Sequence, residues 1–284
     1  MLVIGGPASQ LLASRVAAEL GVSPVVSEFT RFPDNEQYLR IQADVDNEDV
    51  VIVQSTTTDS DFFALHQLLD ACLTAASVTV VIPYMGYARQ DKCFNKGEPI
   101  SARAAAATIK ADRVFTVNIH ESTVLDHFPC RAADLDASPL IGRYIVSLNL
   151  ERPLLVAPDH GVKEMVERVA GNLDLECEVF DKTRFSGDTV SIRKKEMDIK
   201  GRDVILIDDM VATGGTMVEA IKILRENGAK DVYVACVHPV LARNAVLRLY
   251  NAGVKDIMST DTIEKIQSRI SVASVIADAV RQQI

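Results

Sequence analysis

The sequence predicts an α/β fold of two domains, each a mainly parallel sheet flanked by helices, and three observations carry that prediction. β-rich runs alternate with stretches whose apolar residues recur about every 3.6 positions, as where "DVVIVQ" (49–54) is followed by "FALHQLLDACLTAA" (63–76) and then "VTVVIPY" (78–84). Several runs, "VTVVIP" and "DVILID" (203–208) among them, are apolar at nearly every position, which suits strands covered on both faces. Twelve candidate strands are too many for one ordinary sheet, and the polar, proline-ended "SLNLERP" (147–153) interrupts the pattern, so the domains are expected at 1–145 and 146–284.

Along the first half the expected strands are "LVIGG" (2–6), "VVSEF" (25–29), "QYLRIQ" (37–42), "DVVIVQ", "VTVVIPY" and "RVFTVNI" (113–119). The second half offers "PLLVAP" (153–158), "CEVFD" (177–181), "VSIR" (190–193), "DVILID", "DVYVACV" (231–237) and "DIMST" (256–260). "VKEMVERVAGNL" (162–173) and "GTMVEAIKILRENGA" (215–229) have helical spacing. The halves can share one fold, although no repeat is visible by eye.

Composition narrows the function. With 284 residues and 48% hydrophobic content, each domain can bury a real core. A formal charge of -9 argues against nucleic acid or an anionic membrane as partner, while leaving room for a local site that holds a small anion. The five cysteines stand far apart, so neither a disulfide framework nor a thiolate metal site is expected, and a reducing cytoplasm fits best. The chain offers neither a basic leader nor an apolar run of membrane-spanning length.

The stretch with most chemical content is "VILIDDMVATGGT" (204–216). In an open parallel sheet ligands collect beyond the carboxyl ends of strands, where loops meet helix amino termini. There Gly214 and Gly215 let an anion approach the backbone, Thr213 and Thr216 add hydroxyl donors, and the helix beginning near Thr216 directs its positive end at the same place. Asp208 and Asp209 would repel a phosphate but suit sugar hydroxyls or cations, so a sugar phosphate satisfies both halves of the motif. No GxxxxGK[ST] occurs and no GxGxxG follows a strand, which leaves the commoner nucleotide loops unsupported.

The whole stretch resembles the 5-phosphoribosyl-binding loop of the type I phosphoribosyltransferase fold. Three others, "RFPDNEQYLRI" (31–41), "PYMGYARQDKCF" (83–94) and "APDHG" (157–161), resemble segments of the ribose-phosphate diphosphokinases, the phosphoribosyl diphosphate synthetases. This resemblance runs from end to end and implies two phosphoribosyltransferase-like domains, the first on the ATP side. It implies transfer of a diphosphoryl group from ATP to the anomeric hydroxyl of ribose 5-phosphate, with Mg2+ as cofactor and at least a homodimer. Phe32, Asp34, Asn35, Glu36, Arg89, Gln90 and Asp91 are then expected at ATP, and His120 and Asp159 at the metal. Asp208, Asp209, Ala212, Thr213, Gly214, Gly215 and Thr216 are expected at ribose 5-phosphate, with Lys182 and Arg184 of "FDKTRFSGD" (180–188) as catalytic cations and Arg184 also at the sugar phosphate.

Residue chemistry alone leaves alternatives at several of these positions. Arg89 offers a planar fork for phosphate or for stacking on adenine, or a surface ion pair with Asp91. Phe32 serves equally as core, and Lys182 and Arg184, two apart on an extended segment, face one side either as a lid over phosphates or as an exposed basic hairpin. The chain departs from the common family pattern at Ala212, where aspartate is frequent, and in "PDHGVKEM" (158–165), which bears on diphosphate binding. A nucleobase phosphoribosyltransferase would share the 204–216 loop but would need neither "FPDNE" nor "YARQDK", and a non-catalytic nucleotide binder would need no Lys182 or Arg184.

Overall fold

The computed structural model describes residues 1–171, 173–184, 190–193 and 198–282, with backbone alone at 181–184 and 190–193. It divides into two compact units. In the first, six parallel strands lie in the order Pro24–Val25, Leu2–Gly5, Asp49–Val53, Ser77–Ile82, Arg113–Val117 and Arg131–Leu135. In the second the order is Glu176–Val179, Leu154–Ala157, Asp203–Met210, Asp231–His238, Asp256–Thr260 and Ser268–Ile270, again all parallel. Numbered by appearance within each sheet, both orders read 2-1-3-4-5-6. The two units therefore share one topology, and each has its switch point between first and third strands, where the chain leaves one side of the first strand and returns on the other.

Each unit also inserts an antiparallel hairpin between its second and third sheet strands. Ser27–Arg31 pairs with Gln37–Ile41 in the first, and Asp181–Arg184 with Val190–Arg193 in the second. The sequence expectation of "VVSEF", "QYLRIQ" and "VSIR" as strands holds, but "QYLRIQ" and "VSIR" form ribbons apart from the central sheets, and "VVSEF" is split, Val25 pairing with Ile4 in the central sheet and 27–29 entering the ribbon.

The core of the second unit shows why its central strand reads as uninterrupted hydrophobics. Val204, Ile205, Leu206 and Ile207 are all buried, because helices cover both faces of the sheet. Met217, Ala220, Ile221 and Leu224 recur at helical spacing along one side of helix Gly215–Glu226 and join Leu206, Val234 and Ile257 in one cluster. Each large aliphatic side chain so buried contributes about 1.5–3 kcal/mol.

The boundary expected at 145/146 lies elsewhere. The first unit comprises 1–136 with 262–264 and 271–284, and the second comprises 137–261 with 265–270. Helix Ser138–Ser147 belongs to the second unit because it packs against helix Lys163–Ala170 so closely that a Cβ on Gly142 would meet the Val169 carbonyl at 2.2 Å. Helix Ala273–Arg281 returns to the first unit, where it packs on helix Gln10–Leu20 and Arg281 donates to the Glu19 carbonyl.

Candidate active site

The third strand of the second sheet runs from Asp203 to Met210, so the paired acids close its carboxyl end and 211–214 form the turn into helix Gly215–Glu226. Every carbonyl of that turn is committed. The Val211 oxygen accepts from the Leu241 amide at 2.8 Å, that of Ala212 from the Ala242 amide at 2.9 Å, that of Thr213 from the Arg248 guanidinium at 3.0 Å, and that of Gly214 from the Val218 amide at 2.9 Å. In a trans peptide the carbonyl and the following N–H point opposite ways. Holding those four oxygens therefore turns the amides of Ala212, Thr213, Gly214 and Gly215 away from their protein partners, as an anion cradle requires.

Gly214 sits at φ 72°, ψ 10° as the helix N-cap, a left-handed conformation that side chains resist, and a Cβ there would lie 3.4 Å from Leu249. Gly215 needs no such angle, and the nearest atom to a Cβ on it is the Thr213 hydroxyl at 4.0 Å. The second glycine is thus not demanded by packing; its bareness leaves space outside the fold for something else to approach. The first turn of this helix carries no acidic residue and no side chain caps it, so its positive end is unneutralised by the unit's own residues at that turn.

Asp208 is half-buried, and its Oδ1 accepts the Asp209 amide at 2.9 Å. Burial, above all, pushes its carboxyl well above the usual carboxylate range, with the charges of Asp209 and Asp159 adding to the effect. The topology brings Asp159 to the same end of the sheet as the acid pair. Asp159 follows Leu154–Ala157, the strand adjacent to Asp203–Met210, and both loops open at the switch point. Its Oδ1 accepts the Gly161 amide at 3.0 Å, capping the short turn His160–Val162. Acids at this edge suit hydroxyl donors or a cation brought with a ligand.

Lys182 and Arg184 lie on strand Asp181–Arg184 of the second hairpin, in register with Ile192 and Val190. Their side chains, and residues 185–189, lie outside the described residues, so the expected catalytic roles rest on sequence. His120 is exposed just past strand Arg113–Val117 and belongs to the first unit, whereas Asp159 belongs to the second. Among the described residues no three His, Cys, Asp or Glu side chains are arranged to hold a metal by themselves.

The residues expected at ATP divide between two loops of the first unit. "FPDNE" is the tip of the hairpin: the Phe32 amide donates to the Glu36 carbonyl at 2.9 Å, Asn35 takes a left-handed φ of 74°, and Asp34 accepts the Glu36 amide at 3.3 Å. Phe32 is not core. It is 51% exposed, touching Tyr38 edge-on with ring centroids 5.8 Å apart. Arg89, Gln90 and Asp91 follow strand Ser77–Ile82 on a loop pinned to the loop after Asp49–Val53, where a Cβ on Gly86 would meet the Thr56 carbonyl at 2.1 Å. Arg89 is exposed, while Gln90 is fixed at the start of helix Ser101–Ala106 by the Ser101 hydroxyl.

Two elements of this geometry carry no sequence mark. Leu241, Ala242 and Arg248 hold the cradle from behind, yet nothing in "PVLARNAVLR" (239–248) predicts it. A cleft of about 450 Å³ in the first unit lies between the hairpin residues Phe29 and Arg31 and the helix start at Thr58, Ser60 and Asp61, the counterpart of the cradle in the other unit.

Comparison with known proteins agrees with this architecture. Residues 1–112 match the family of the N-terminal domain of ribose phosphate pyrophosphokinase, and residues 135–272 the phosphoribosyl transferase domain family. The chain is 61% identical to the ribose-phosphate pyrophosphokinase of Methanosarcina mazei over 277 residues, 98% of this chain and 94% of that protein. It is 60% identical to that of Methanosarcina acetivorans over 282 residues, 99% of this chain and all of the other. The crystal structure of phosphoribosylpyrophosphate synthetase from Mycobacterium smegmatis superposes with a TM-score of 0.81 at 29% identity, covering 99% of this chain and 98% of the other. The chain belongs to the ribose-phosphate pyrophosphokinase family and is a diphosphotransferase.

Proposed function

We propose that this enzyme transfers the β,γ-diphosphoryl group of ATP to the anomeric hydroxyl of ribose 5-phosphate, giving phosphoribosyl diphosphate and AMP. The observation that carries the reading is the 211–214 turn, whose four carbonyls are bound from behind while its amides lie opposite, at the head of a helix without an acid in its first turn. The 5-phosphate is received by Ala212, Thr213, Gly214, Gly215 and Thr216. Asp208 and Asp209 accept hydrogen bonds from the ring hydroxyls, and that orientation presents the anomeric hydroxyl for attack on the β-phosphorus.

Phe32 supplies a face for adenine, with Asp34, Asn35, Glu36, Arg89, Gln90 and Asp91 around the nucleotide; the exposure of Phe32 and Arg89 supports their availability for a ligand. An exposed aromatic at a hairpin tip also suits a site completed by a second copy of the chain, so the enzyme is read as a homodimer or larger. Charge collects on the transferring group and on the departing α-phosphate oxygen, and Lys182 and Arg184 neutralise it. Asp159 and His120 are the residues that would serve Mg2+, a hard ion that favours oxygen ligands and retained water. When bound, that ion supplies further charge neutralisation on the triphosphate. The wide spacing of the five cysteines in the sequence supports a reducing, cytoplasmic setting, and among the described residues no helix is long and apolar enough to cross a membrane.

A coupled AMP-release assay, with ribose 5-phosphate omitted as control, tests the reaction. AMP is expected only with both substrates, and its absence would reject the assignment. Lys182→Ala should retain ribose 5-phosphate affinity and lose roughly a hundredfold or more in turnover; unchanged turnover removes Lys182 from the mechanism.

A further inference from the structure

We infer that Arg248 is a positioning residue for the phosphate cradle, acting through the Thr213 carbonyl; the inference rests on the reading that the 211–216 turn takes the 5-phosphate. A backbone anion site is undone by its own carbonyls. Each peptide unit can present either its N–H or its oxygen to the ligand, and a flip of one unit exchanges attraction for repulsion.

Three of the four carbonyls at risk are secured from one stretch of chain. Leu241 and Ala242 give their amides to Val211 and Ala212, and the Arg248 guanidinium reaches Thr213 at 3.0 Å. The stretch adopts a costly shape to do so: Leu241, Arg243 and Asn244 have φ values of 46°, 51° and 61°, a left-handed region that Leu and Arg seldom visit. Val211 and Ala212 are held backbone to backbone, and Gly214 by the helix itself. Thr213 is the one whose oxygen depends on a side chain, and the amide it orients is that of Gly214. Thr213 and Arg248 are both exposed, so the bond is not a packing device. Its permanent positive charge also adds to the field at the helix head.

The test is steady-state kinetics on full-length Arg248→Met and Arg248→Lys, each substrate varied with the other saturating, beside thermal midpoints and Gly215→Ala as control. Arg248→Met should raise the KM for ribose 5-phosphate about tenfold, the scale of a charge-assisted hydrogen bond. The KM for ATP, kcat and the midpoint should stay near the parent values. Arg248→Lys, which keeps both charge and donor, should restore most of the loss. Unchanged KM in Arg248→Met with a raised KM in Gly215→Ala overturns this inference and leaves the cradle assignment standing; unchanged KM in both overturns the assignment itself. If Arg248→Met lowers the midpoint and every kinetic constant together, the side chain is a structural prop and the inference fails.

Discussion

The two units follow the same strand order, yet at the same place, the loop after the third strand, they solve the helix amino terminus in opposite ways. In the first unit helix Asp59–Ala71 is closed by its own residues: Thr58 accepts the Asp61 amide, Asp61 returns a bond to the Thr58 amide, and Asp59 and Asp61 put negative charge into the first turn. In the second unit helix Gly215–Glu226 has a glycine cap, no capping side chain and no acid in its first turn, and its acids stand one loop earlier, at Asp208 and Asp209. The fold makes the position and the local residues decide whether an anion can use it. A capped terminus stabilises its own unit, whereas an open one trades that stability for a ligand site.

The comparison breaks most sharply if the open terminus is given an acid. Gly215→Asp places a carboxylate where the phosphate is expected, and two charges about 4 Å apart at a protein surface repel by about 4 kcal/mol. Loss of at least about a hundredfold in kcat/KM for ribose 5-phosphate is expected, measured by the AMP-release assay, against a much smaller loss for Gly215→Ala.

A second test uses the cost of the acids in the absence of substrate. Because the folded chain raises the Asp208 carboxyl above its unfolded value, the stability this group contributes is fully present below the ordinary carboxylate range and is lost as pH rises through the raised value. Asp208→Asn removes that loss and keeps an oxygen to accept the Asp209 amide. Without ligand its thermal midpoint should exceed the parent's at neutral pH by a few degrees and converge with it at low pH, while activity falls. A parent midpoint that does not decline relative to the variant as pH rises would contradict the electrostatic account of the site.

The smallest effect belongs to the closed terminus. Thr58→Ala removes the capping oxygen and should cost about 1 kcal/mol of stability, read by denaturant unfolding, with the KM for ribose 5-phosphate unchanged.

These contrasts also separate what the sequence discloses from what it hides. The open terminus is legible because its chemistry is contiguous: an apolar strand, two acids and two glycines within 204–216 declare strand, edge and cradle in order. The capping box at Thr58 and Asp61 is equally local, but passes unnoticed where polar residues are ordinary. What supports the cradle is not local. Leu241 and Arg243 give no hint of left-handed backbone, and the partners of this stretch, Val211 and Ala212, lie about thirty residues away in sequence. Strand Arg131–Leu135 lies at the sheet edge beside Arg113–Val117, and its short alanine-rich run carries neither a continuous apolar stretch nor clear alternation, while alternation in "QYLRIQ" marks a strand without saying that its partner is a hairpin instead of a sheet. Nor does chain order reveal that helix Ala273–Arg281 returns to the first unit.

The measurement that bears most directly on the account is a crystal structure of the enzyme soaked with ribose 5-phosphate. The 5-phosphate should lie against the amides of residues 212–216 with ring hydroxyls toward Asp208 and Asp209. Phosphate density instead at the head of helix Asp59–Ala71, where Thr58 and Asp61 already close the terminus, would contradict it.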